Sequence, residues 1–401
     1  MRYRRFGKVD FDASVLGFGC MRLPTLGDRS QAGSGQPGDP SQIDEPVAIK
    51  MIRHAIDRGV NYVDTAYMYH AGNSERVLGR ALLDGYRQKV RLATKLPVGQ
   101  VTSYADFDRL LNEQLAKLQT DHIDFYLLHG LRKSRWEIVR DLGVTSWAEG
   151  AKRDGRIRHL GFSFHDNADA FKYIVDDYAG WDFCQVQYNF MDVNTQAGMA
   201  GVRYAAARGL AVVVMEPLLG GRLATPPTAV EAIWRDAPVR RTPVDWALRW
   251  VWDQPEVSVV LSGMSTPEQV EENLASAEQA EIGGLSAGEH VLFDRAREVY
   301  SALYPIPCTQ CGYCMPCPNG VDIPTNFLLF NRGVALDQLQ SSRFRYGNGE
   351  AGARASACVQ CRECEDKCPQ SIQIGDWMPY VDEVLGKKID FDPARVPVRP
   401  R

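Results

Sequence analysis

Eight of the ten cysteines in this 401-residue chain lie in two short runs near its C-terminus, and this clustering limits the fold more than any other feature. Within each run the cysteines are separated by two or three residues, and a proline follows the last one. The runs are Cys308, Cys311, Cys314 and Cys317, then Cys358, Cys361, Cys364 and Cys368. Thiols spaced so closely are typical of metal ligands.

The spacing of the second run indicates the kind of metal site. It reads Cys-x2-Cys-x2-Cys-x3-Cys-Pro, the bacterial ferredoxin pattern in which the fourth thiolate binds the other of two clusters. We therefore predict two [4Fe-4S] clusters whose ligands cross over between the runs. One would be bound by Cys308, Cys311, Cys314 and Cys368, and the other by Cys358, Cys361, Cys364 and Cys317. The first run departs from the pattern, because only Met315 and Pro316 precede its fourth cysteine.

Other interpretations of the cysteines remain open. A pair of structural zinc sites with four thiolates each would also use close Cys-x2-Cys pairs. A disulfide framework is disfavoured, because the N-terminal sequence MRYRRFGKVD lacks the apolar stretch of a secretory signal. The remaining thiols, Cys20 and Cys184, are expected to be buried as small apolar side chains.

Composition describes an ordinary globular protein of two or three domains. The apolar content is 45% and the formal net charge is −4. This mild acidity argues against a nucleic-acid partner, which would require a basic face. The longest apolar stretches, such as 210–215, are too short to span a bilayer, so no membrane association is expected. A cytoplasmic location follows as the expectation.

Apolar runs alternate with helical patterns along the first 285 residues. The runs occupy 14–19, 60–63, 90–93, 123–128, 157–162, 183–186, 210–215 and 257–261. Alternation implies parallel strands, and eight strand–helix units in about 250 residues fit a TIM barrel better than an open sheet. Residues 26–46, rich in Gly, Ser, Pro and Asp, are predicted to form a long loop over one barrel end.

The predicted fold class is therefore α/β, with two parts. Residues 1–285 form a TIM (β/α)8 barrel. Residues 286–401 form a helical linker and a small, mainly helical ferredoxin-like domain, since no strand alternation separates the two cysteine runs.

Polar residues follow three neighbouring strands of the predicted barrel, where TIM-barrel enzymes place their chemistry. Asp64 follows GVNYV, Lys95 follows VRLAT and His129 follows IDFYLL, with Tyr69 five residues beyond Asp64. These four residues form an acid–base set suited to carbonyl reduction. Tyr69 could protonate an alkoxide if the Lys95 ammonium favours its phenolate. Asp64 would hold Lys95, and His129 would donate a hydrogen bond to the substrate oxygen.

The segments GVNYVDTAYMY, ATK and YLLH, in this order, resemble the aldo-keto reductase family over about residues 1–285. The resemblance implies an NAD(P)-dependent oxidoreductase that interconverts an aldehyde or ketone with its alcohol. It assigns Tyr69 as the proton donor and acceptor and Asp64, Lys95 and His129 as the other members of the catalytic set.

The resemblance also implies which residues bind the nicotinamide. Relatives hold the nicotinamide amide with a Ser-Asn pair and a Gln, and the matching positions are Ser163, Phe164 and Gln185. Phe164 thus replaces the usual asparagine. Relatives cover the nicotinamide ring with an aromatic residue, where this chain has Met215, followed closely by Pro217 and Leu218.

The segment LSGMSTPEQVEENL is implied to hold the phosphates and adenosine of the cofactor. The candidate contacts are Ser262, Gly263, Met264, Gln269, Glu272 and Asn273. Residues 266–269 have the form of a helix capping box, which places backbone donors toward an anion. No Lys or Arg occurs in 261–274, so we expect similar affinities for NADH and NADPH, or a preference for NADH.

With CGYCMPCPNGVDIP after the barrel, the whole chain resembles the iron-sulfur branch of the same family. The expected partner is a small carbonyl or alcohol substrate. The alternative is a non-catalytic nicotinamide-binding or electron-relay subunit that docks a redox protein through the cluster domain. Hydride carries two electrons and a cluster passes one, so carbonyl reduction is expected to leave the clusters' redox state unchanged.

Overall fold

The computed structural model describes residues 1–26, 42–335 and 338–397. These residues form two compact units. The first contains Met1–Leu218 and Val244–Leu285, and the second contains Leu219–Pro243 and Ser286–Arg401. The segment 219–243, which the sequence pattern assigns to the barrel, therefore groups with the C-terminal unit.

The first unit begins with an antiparallel hairpin of β1 (Tyr3–Arg5) and β2 (Asp12–Ser14). A closed barrel of parallel strands follows, so the prediction of a TIM barrel is confirmed. In chain order its eight strands are β3 (Leu16–Gly19), β4 (Tyr62–Asp64), β5 (Arg91–Leu96), β6 (Ile123–Leu131), β7 (Ile157–Phe164), β8 (Phe183–Gln187), β9 (Ala211–Met215) and β10 (Val257–Gly263). Pairing of β10 with β3 closes the barrel.

Helices connect successive strands. In chain order they are α1 (Glu45–Asp57), α2 (Ser74–Ala81), α3 (Ala105–Leu118), α4 (Lys133–Asp141), α5 (Val144–Arg153), α6 (Ala168–Asp177), α7 (Gly198–Ala207), α8 (Thr228–Arg235), α9 (Pro243–Trp252) and α10 (Pro267–Glu278). Of these, α8 belongs to the second unit.

Helix α1 shows how the sequence sets these elements. Asp44 caps its N-terminus by accepting a hydrogen bond from the Val47 amide, and a proline occupies the first turn. Its apolar residues recur at helical spacing and are buried, and Gly59, with φ of 97°, ends the turn beyond it. The predicted loop at 26–46 ends earlier than expected, because α1 begins at Glu45. Residues 27–41 of that loop lie outside the described residues.

Aromatic residues fill the barrel near the amino ends of its strands. Phe6, from the N-terminal hairpin, lies 4.5 Å from Phe125 and 5.6 Å from Phe183 between ring centroids, and all three are buried. This apolar packing occupies one end of the barrel. Polar side chains can therefore collect only toward the carboxyl ends.

The second unit is helical in its described part, as predicted. It contains α11 (Ala287–Leu303), α12 (Ile323–Ala335), α13 (Leu339–Asn348) and α14 (Ile374–Leu385). Its apolar core includes Phe327, Phe330, Trp377 and Val381, together with three of the cysteines. Within the described ranges, no helix is both long enough and apolar enough to cross a membrane.

Candidate functional site

The four predicted catalytic residues meet at the carboxyl ends of three adjacent strands. Asp64 is the last residue of β4, Lys95 lies in β5, and His129 lies in β6. Tyr69 begins a short 3-10 turn, Tyr69–Gly72, that follows β4. Because β4, β5 and β6 are hydrogen-bonded neighbours, their ends bring these side chains together.

Lys95 lies at the centre of this group, and its side chain is fully buried. Its Nζ donates hydrogen bonds to Asp64 Oδ1 at 2.6 Å and to the Thr65 carbonyl at 2.7 Å. A third bond reaches the Tyr69 hydroxyl at 3.2 Å. An ammonium has three N–H donors, so this arrangement uses them all.

The pKa of the Asp64 carboxyl is raised, because burial outweighs the effect of its partners. Burial raises its pKa, whereas the Lys95 ammonium and the Gln185 amide oppose this by stabilising the charged form. Gln185 Nε2 donates to Asp64 Oδ2 at 3.0 Å. The second carboxylate oxygen is thus bonded from β8, across the barrel interior.

His129 is held in its uncharged form. Burial, with added repulsion from Lys95 and His165, places its pKa well below the ordinary value. Its ring centroid lies 5.9 Å from that of Tyr69, with the planes nearly perpendicular at 82°. Tyr69 itself is only partly buried. A phenol accessible at the barrel end therefore lies beside one ammonium and one neutral imidazole.

Of the three residues at the positions predicted to bind the nicotinamide amide, two lie close together and the third does not. Ser163 and Gln185 are register partners on β7 and β8, and both are buried. Ser163 Oγ accepts a hydrogen bond from the Gly130 amide at 2.7 Å, which leaves its hydroxyl proton as a donor. Phe164 instead packs on Phe171 of α6, at 5.0 Å between ring centroids. Strand alternation thus points Phe164 away from Ser163.

Met215 ends β9, where its main-chain register partner is Gln187 on β8. Its side chain is partly buried, and the next residue, Glu216, has a left-handed backbone with φ of 56°. Pro217, which is buried, and Leu218, which is partly buried, then continue the chain away from the strand. The three predicted residues therefore lie together at the carboxyl end of β9.

The loop between β10 and α10 is held by side chains that the sequence assigns to the cofactor. Asn273 Nδ2 donates to Ser262 Oγ at 2.8 Å, and both residues are buried. Gln269 Oε1 accepts a hydrogen bond from the Ser265 amide at 2.8 Å, while the main-chain N–H of Gln269 donates to Thr266 Oγ1. Gly263 is exposed, Met264 is buried, and Glu272 is partly buried. Asn273 thus holds the loop from its buried side, and Gln269 holds it from the exposed side.

Four cysteines of the second unit line one partly open pocket: Cys308, Cys311, Cys314 and Cys368. They are the four that the crossed-over ferredoxin pattern assigns to one cluster. Ile323, Phe327 and Pro369 complete the apolar part of the wall. The pocket therefore combines thiol ligands with a water-poor surround.

The other quartet also comes together. Burial raises the pKa of the Cys358 and Cys364 thiols. The nearby thiols add to this, Cys317 and Cys361 at Cys358 and Cys358 and Cys317 at Cys364. All ten cysteines are free thiols, and Cys20 and Cys184 are buried in the barrel. The quartet around Cys361 is the more open one, because that residue is exposed.

The arrangement of the thiols bears on which metal they suit. Zinc requires its ligands at about 2.3 Å from a single point. Among the described residues, no three Cys, His, Asp or Glu side chains converge in that way. The four thiols of the first quartet line one pocket, and a four-iron cube takes one thiolate at each corner.

Comparison with known proteins identifies the barrel. A model of the aldo/keto reductase family matches residues 16–283. The chain belongs to this family. A second model, of a 4Fe-4S dicluster domain, matches residues 307–372, so this aldo/keto reductase carries a C-terminal 4Fe-4S domain. As a family member it is an oxidoreductase.

Individual relatives are distant. The chain is 26% identical over 310 residues to the NADH-specific methylglyoxal reductase of Escherichia coli, covering 65% of this chain and 92% of that protein. It is 32% identical over 173 residues to the uncharacterized oxidoreductase YqkF of Bacillus subtilis, covering 41% of this chain and 49%, about half, of that protein. Among solved structures, the holo form of aldo-keto reductase AKR11C1 from Bacillus halodurans has a TM-score of 0.59 and 26% identity, covering 74% of this chain and 96% of that one.

Three residues of this aldo/keto reductase's site escape sequence reasoning. Thr65 contributes a main-chain carbonyl, which has no residue signature. His70 is buried, and its Nε2 accepts a hydrogen bond from the Leu23 amide. Arg22 lies against Gly263 through the stem of its side chain, and its carbonyl accepts from Ser265 Oγ at 2.8 Å. The signal available for Arg22 was a single cation in the segment CMRLP, directly after β3.

The buried ion pair generates a testable prediction for stability. Lys95→Met leaves the Asp64 carboxylate buried without a cation, and we expect the free energy of unfolding to fall by about 3–5 kcal/mol. Adding Asp64→Asn should recover part of this loss, because an amide needs no countercharge. Urea unfolding followed by tryptophan fluorescence measures both changes.

The control for that experiment is Lys89→Met. Lys89 pairs with Asp57 at 2.9 Å on the surface, where such a pair contributes at most about 1 kcal/mol. Equal effects of the Lys95 and Lys89 substitutions would show that the buried pair has no special role in stability.

Proposed function

We propose that this aldo/keto reductase uses NAD(P)H to reduce an aldehyde or ketone to its alcohol, and catalyses the reverse oxidation, with Tyr69 as proton donor and acceptor. One observation carries the proposal. The Tyr69 hydroxyl lies 3.2 Å from Lys95 Nζ, which is itself paired with Asp64 at 2.6 Å. A phenol beside a fixed, buried ammonium is suited to release and recover a proton.

Tyr69, Lys95 and Asp64 have different roles in the proposed proton transfer. The bound nicotinamide would supply hydride to the carbonyl carbon, which leaves negative charge on the substrate oxygen. Tyr69 gives its proton to that oxygen, and the Lys95 ammonium stabilises the phenolate that remains. Asp64 and the Thr65 carbonyl keep Lys95 in place. In the oxidation direction, the phenolate accepts the proton of the alcohol.

His129 has a different role in this scheme. Its lowered pKa keeps it neutral, so it offers one N–H donor and no positive charge. A neutral imidazole can orient the carbonyl oxygen and polarise it without competing with Tyr69 as the acid. The proton donor and the orienting group are therefore separate residues.

The cofactor would lie along the carboxyl ends of β7 to β10. The hydroxyl of Ser163 and the amide of Gln185 would face the nicotinamide amide, and Met215 would cover its ring less rigidly than an aromatic residue. Pro217 and Leu218 continue that cover. The phosphates and adenosine would contact the loop and helix residues Ser262, Gly263, Met264, Gln269, Glu272 and Asn273.

Use of NADH in preference to NADPH, or of both equally, is part of the proposal. The segment 261–274 supplies no cation for a 2'-phosphate. A relative, the methylglyoxal reductase of Escherichia coli, is described as NADH-specific. That relative also supports a small carbonyl compound as the substrate class.

We further propose that the C-terminal domain binds two [4Fe-4S] clusters, each with three thiolates from one run and one from the other. Such clusters accept and release single electrons. One side chain and one main-chain amide of this chain donate to the thiols: Gln310 Nε2 lies 3.3 Å from Cys308 Sγ, and the main-chain N–H of Gln360 lies 3.4 Å from Cys358 Sγ. The free thiols and such clusters fit the reducing conditions of the cytoplasm, which we propose as the compartment.

The 4Fe-4S domain favours a second candidate function, in which the protein relays electrons to a redox partner. In that case the barrel would bind nicotinamide without reducing a carbonyl compound. The partner would meet the more open quartet, which contains the exposed Cys361.

Replacement of the proposed proton donor tests the lead function. Tyr69→Phe should lower kcat by about 10²- to 10⁴-fold, the usual contribution of general acid catalysis, while NADH binding stays near the wild-type value. Steady-state reduction of methylglyoxal and other small aldehydes measures kcat, and fluorescence titration measures NADH affinity. Tyr67→Phe is the matched control, because the Tyr67 hydroxyl bonds Glu113 of α3 at 2.7 Å instead. Activity of Tyr69→Phe above about a third of wild type would rule out this role.

Iron content tests the cluster proposal. Protein prepared anaerobically should contain about eight irons and eight sulfides per chain, as two cubes require. Cys361→Ser should remove or weaken one cluster, whereas Cys184→Ala, in the barrel, should leave the iron content unchanged. Stoichiometric zinc in place of iron would contradict the proposal.

Anaerobic mixing with NADH separates the two candidate functions. The clusters take electrons singly, whereas hydride transfer moves two together, so their visible absorption should stay constant during the time of one turnover. An aldehyde added afterwards should still be reduced. Rapid bleaching by NADH alone, without flavin or substrate, would favour the electron-relay function.

A further inference from the structure

The chain directly after Tyr69 has an unusual backbone. His70 has φ of 51° and ψ of 48°, and Ala71 has φ of 53° and ψ of 32°. Gly72 follows with φ of 88°. Glycine adopts this left-handed region freely, but residues with a Cβ do so at a cost. Two such residues in succession persist only where their surroundings fix them.

Two hydrogen bonds from a neighbouring turn fix this segment. His70 Nε2 accepts from the Leu23 amide at 3.1 Å, and Ser74 Oγ donates to the Cys20 carbonyl at 3.0 Å. Cys20 and Leu23 lie at the two ends of the short turn that follows β3. The loop that carries Tyr69 is therefore attached to the turn after β3 at a point on each side of Ala71.

The first of these bonds also defines the state of His70. Its side chain is 8% exposed, and Leu23 is 2% exposed, so the bond is shielded from water. Because Nε2 accepts a hydrogen bond here, it carries no proton of its own, and a neutral ring holds its proton on Nδ1. In this geometry Nε2 of His70 bonds the backbone of the neighbouring turn.

We propose that His70 is a positioning residue: its bond to the Leu23 amide holds the left-handed turn and so places the Tyr69 hydroxyl against Lys95. This inference rests on the proposed role of Tyr69 as proton donor. Loss of the bond lets the turn relax, and the adjoining Tyr69 moves with it. A misplacement of about 1 Å in a reacting group can cost on the order of 10²-fold in rate.

The effect should appear in kcat and not in binding. No predicted cofactor contact lies in the Tyr69–Gly72 turn, so NADH affinity should not change. The chemical step should slow, and proton transfer should limit it more strongly. The solvent deuterium isotope effect on kcat should therefore rise above the wild-type value.

Two substitutions of His70 separate the anchor from the backbone preference. His70→Gln carries an amide oxygen near the position of Nε2 and can still accept from Leu23. His70→Asn favours the left-handed backbone more strongly but is too short to reach. If the anchor matters, the Gln variant retains most of the wild-type kcat and the Asn variant loses about 10- to 100-fold. His122→Asn, at the amino end of β6, is the matched control.

A further variant addresses folding. Ala71→Gly removes the cost of one left-handed residue, so His70→Asn combined with Ala71→Gly should fold with a normal thermal transition and remain slow. Wild-type kcat in either His70→Asn variant overturns the inference, as does a loss in kcat that His70→Gln shares equally.

Tyr69→Phe, assayed in parallel, distinguishes this inference from the function on which it rests. An active Tyr69→Phe enzyme overturns the proposed function. An inactive Tyr69→Phe enzyme beside a fully active His70→Asn enzyme overturns the anchor alone.

Discussion

Lys95 and Asp64 form an ion pair inside the barrel, with the Lys95 side chain fully buried. Removing both charges from water costs several kcal/mol per ion, so the pair persists only if every donor and acceptor is bonded. Thr65, Tyr69 and Gln185 supply those bonds. One desolvated ammonium thereby sets three partners, which are Asp64, the Thr65 carbonyl and the Tyr69 hydroxyl. Asp64 in turn is bonded by Gln185 of β8. The Tyr69 hydroxyl belongs to that set, which is why its position depends on the ion pair.

Hydrogen bonds on the outer face of β5 also restrain Lys95. Thr94, which alternates with Lys95 along the strand, donates to Glu75 Oε1 at 2.7 Å. Gln114 of α3 donates to that oxygen at 2.6 Å and to the Lys95 carbonyl at 3.0 Å. Lys117 lies 3.5 Å from the other oxygen of Glu75. Two helices therefore fix the strand from outside while the ion pair fixes the side chain within, and a buried network of this kind leaves little freedom for Lys95 to move.

From the sequence one can predict which side chains meet at the barrel end, but less well which groups form hydrogen bonds there. Asp64, Lys95 and His129 could be placed together because parallel strands end at one face of a barrel. The carbonyl of Thr65 could not, since every residue has one. Gln185 was expected at the nicotinamide amide, yet it also bonds Asp64, a contact between residues 121 apart in sequence. The strands of the hairpin at β1 and β2, three residues each, are too short to show a period. The grouping of 219–243 with the C-terminal unit depends on long-range packing that no local pattern records.

The two cysteine runs are distant in sequence, yet each proposed cluster takes ligands from both. Helices α12 and α13 lie between the runs, and their apolar side chains pack with α14 in one core. Cys314, Cys364 and Cys368 belong to that core, so its packing brings the two runs close together. Four thiolates at one site repel one another, and only the positive charge of bound iron offsets this. In the proposed crossed assignment each cluster takes a thiolate from both runs. Assembly of one cluster then shortens the loop that the other must close, which lowers the entropy cost of the second.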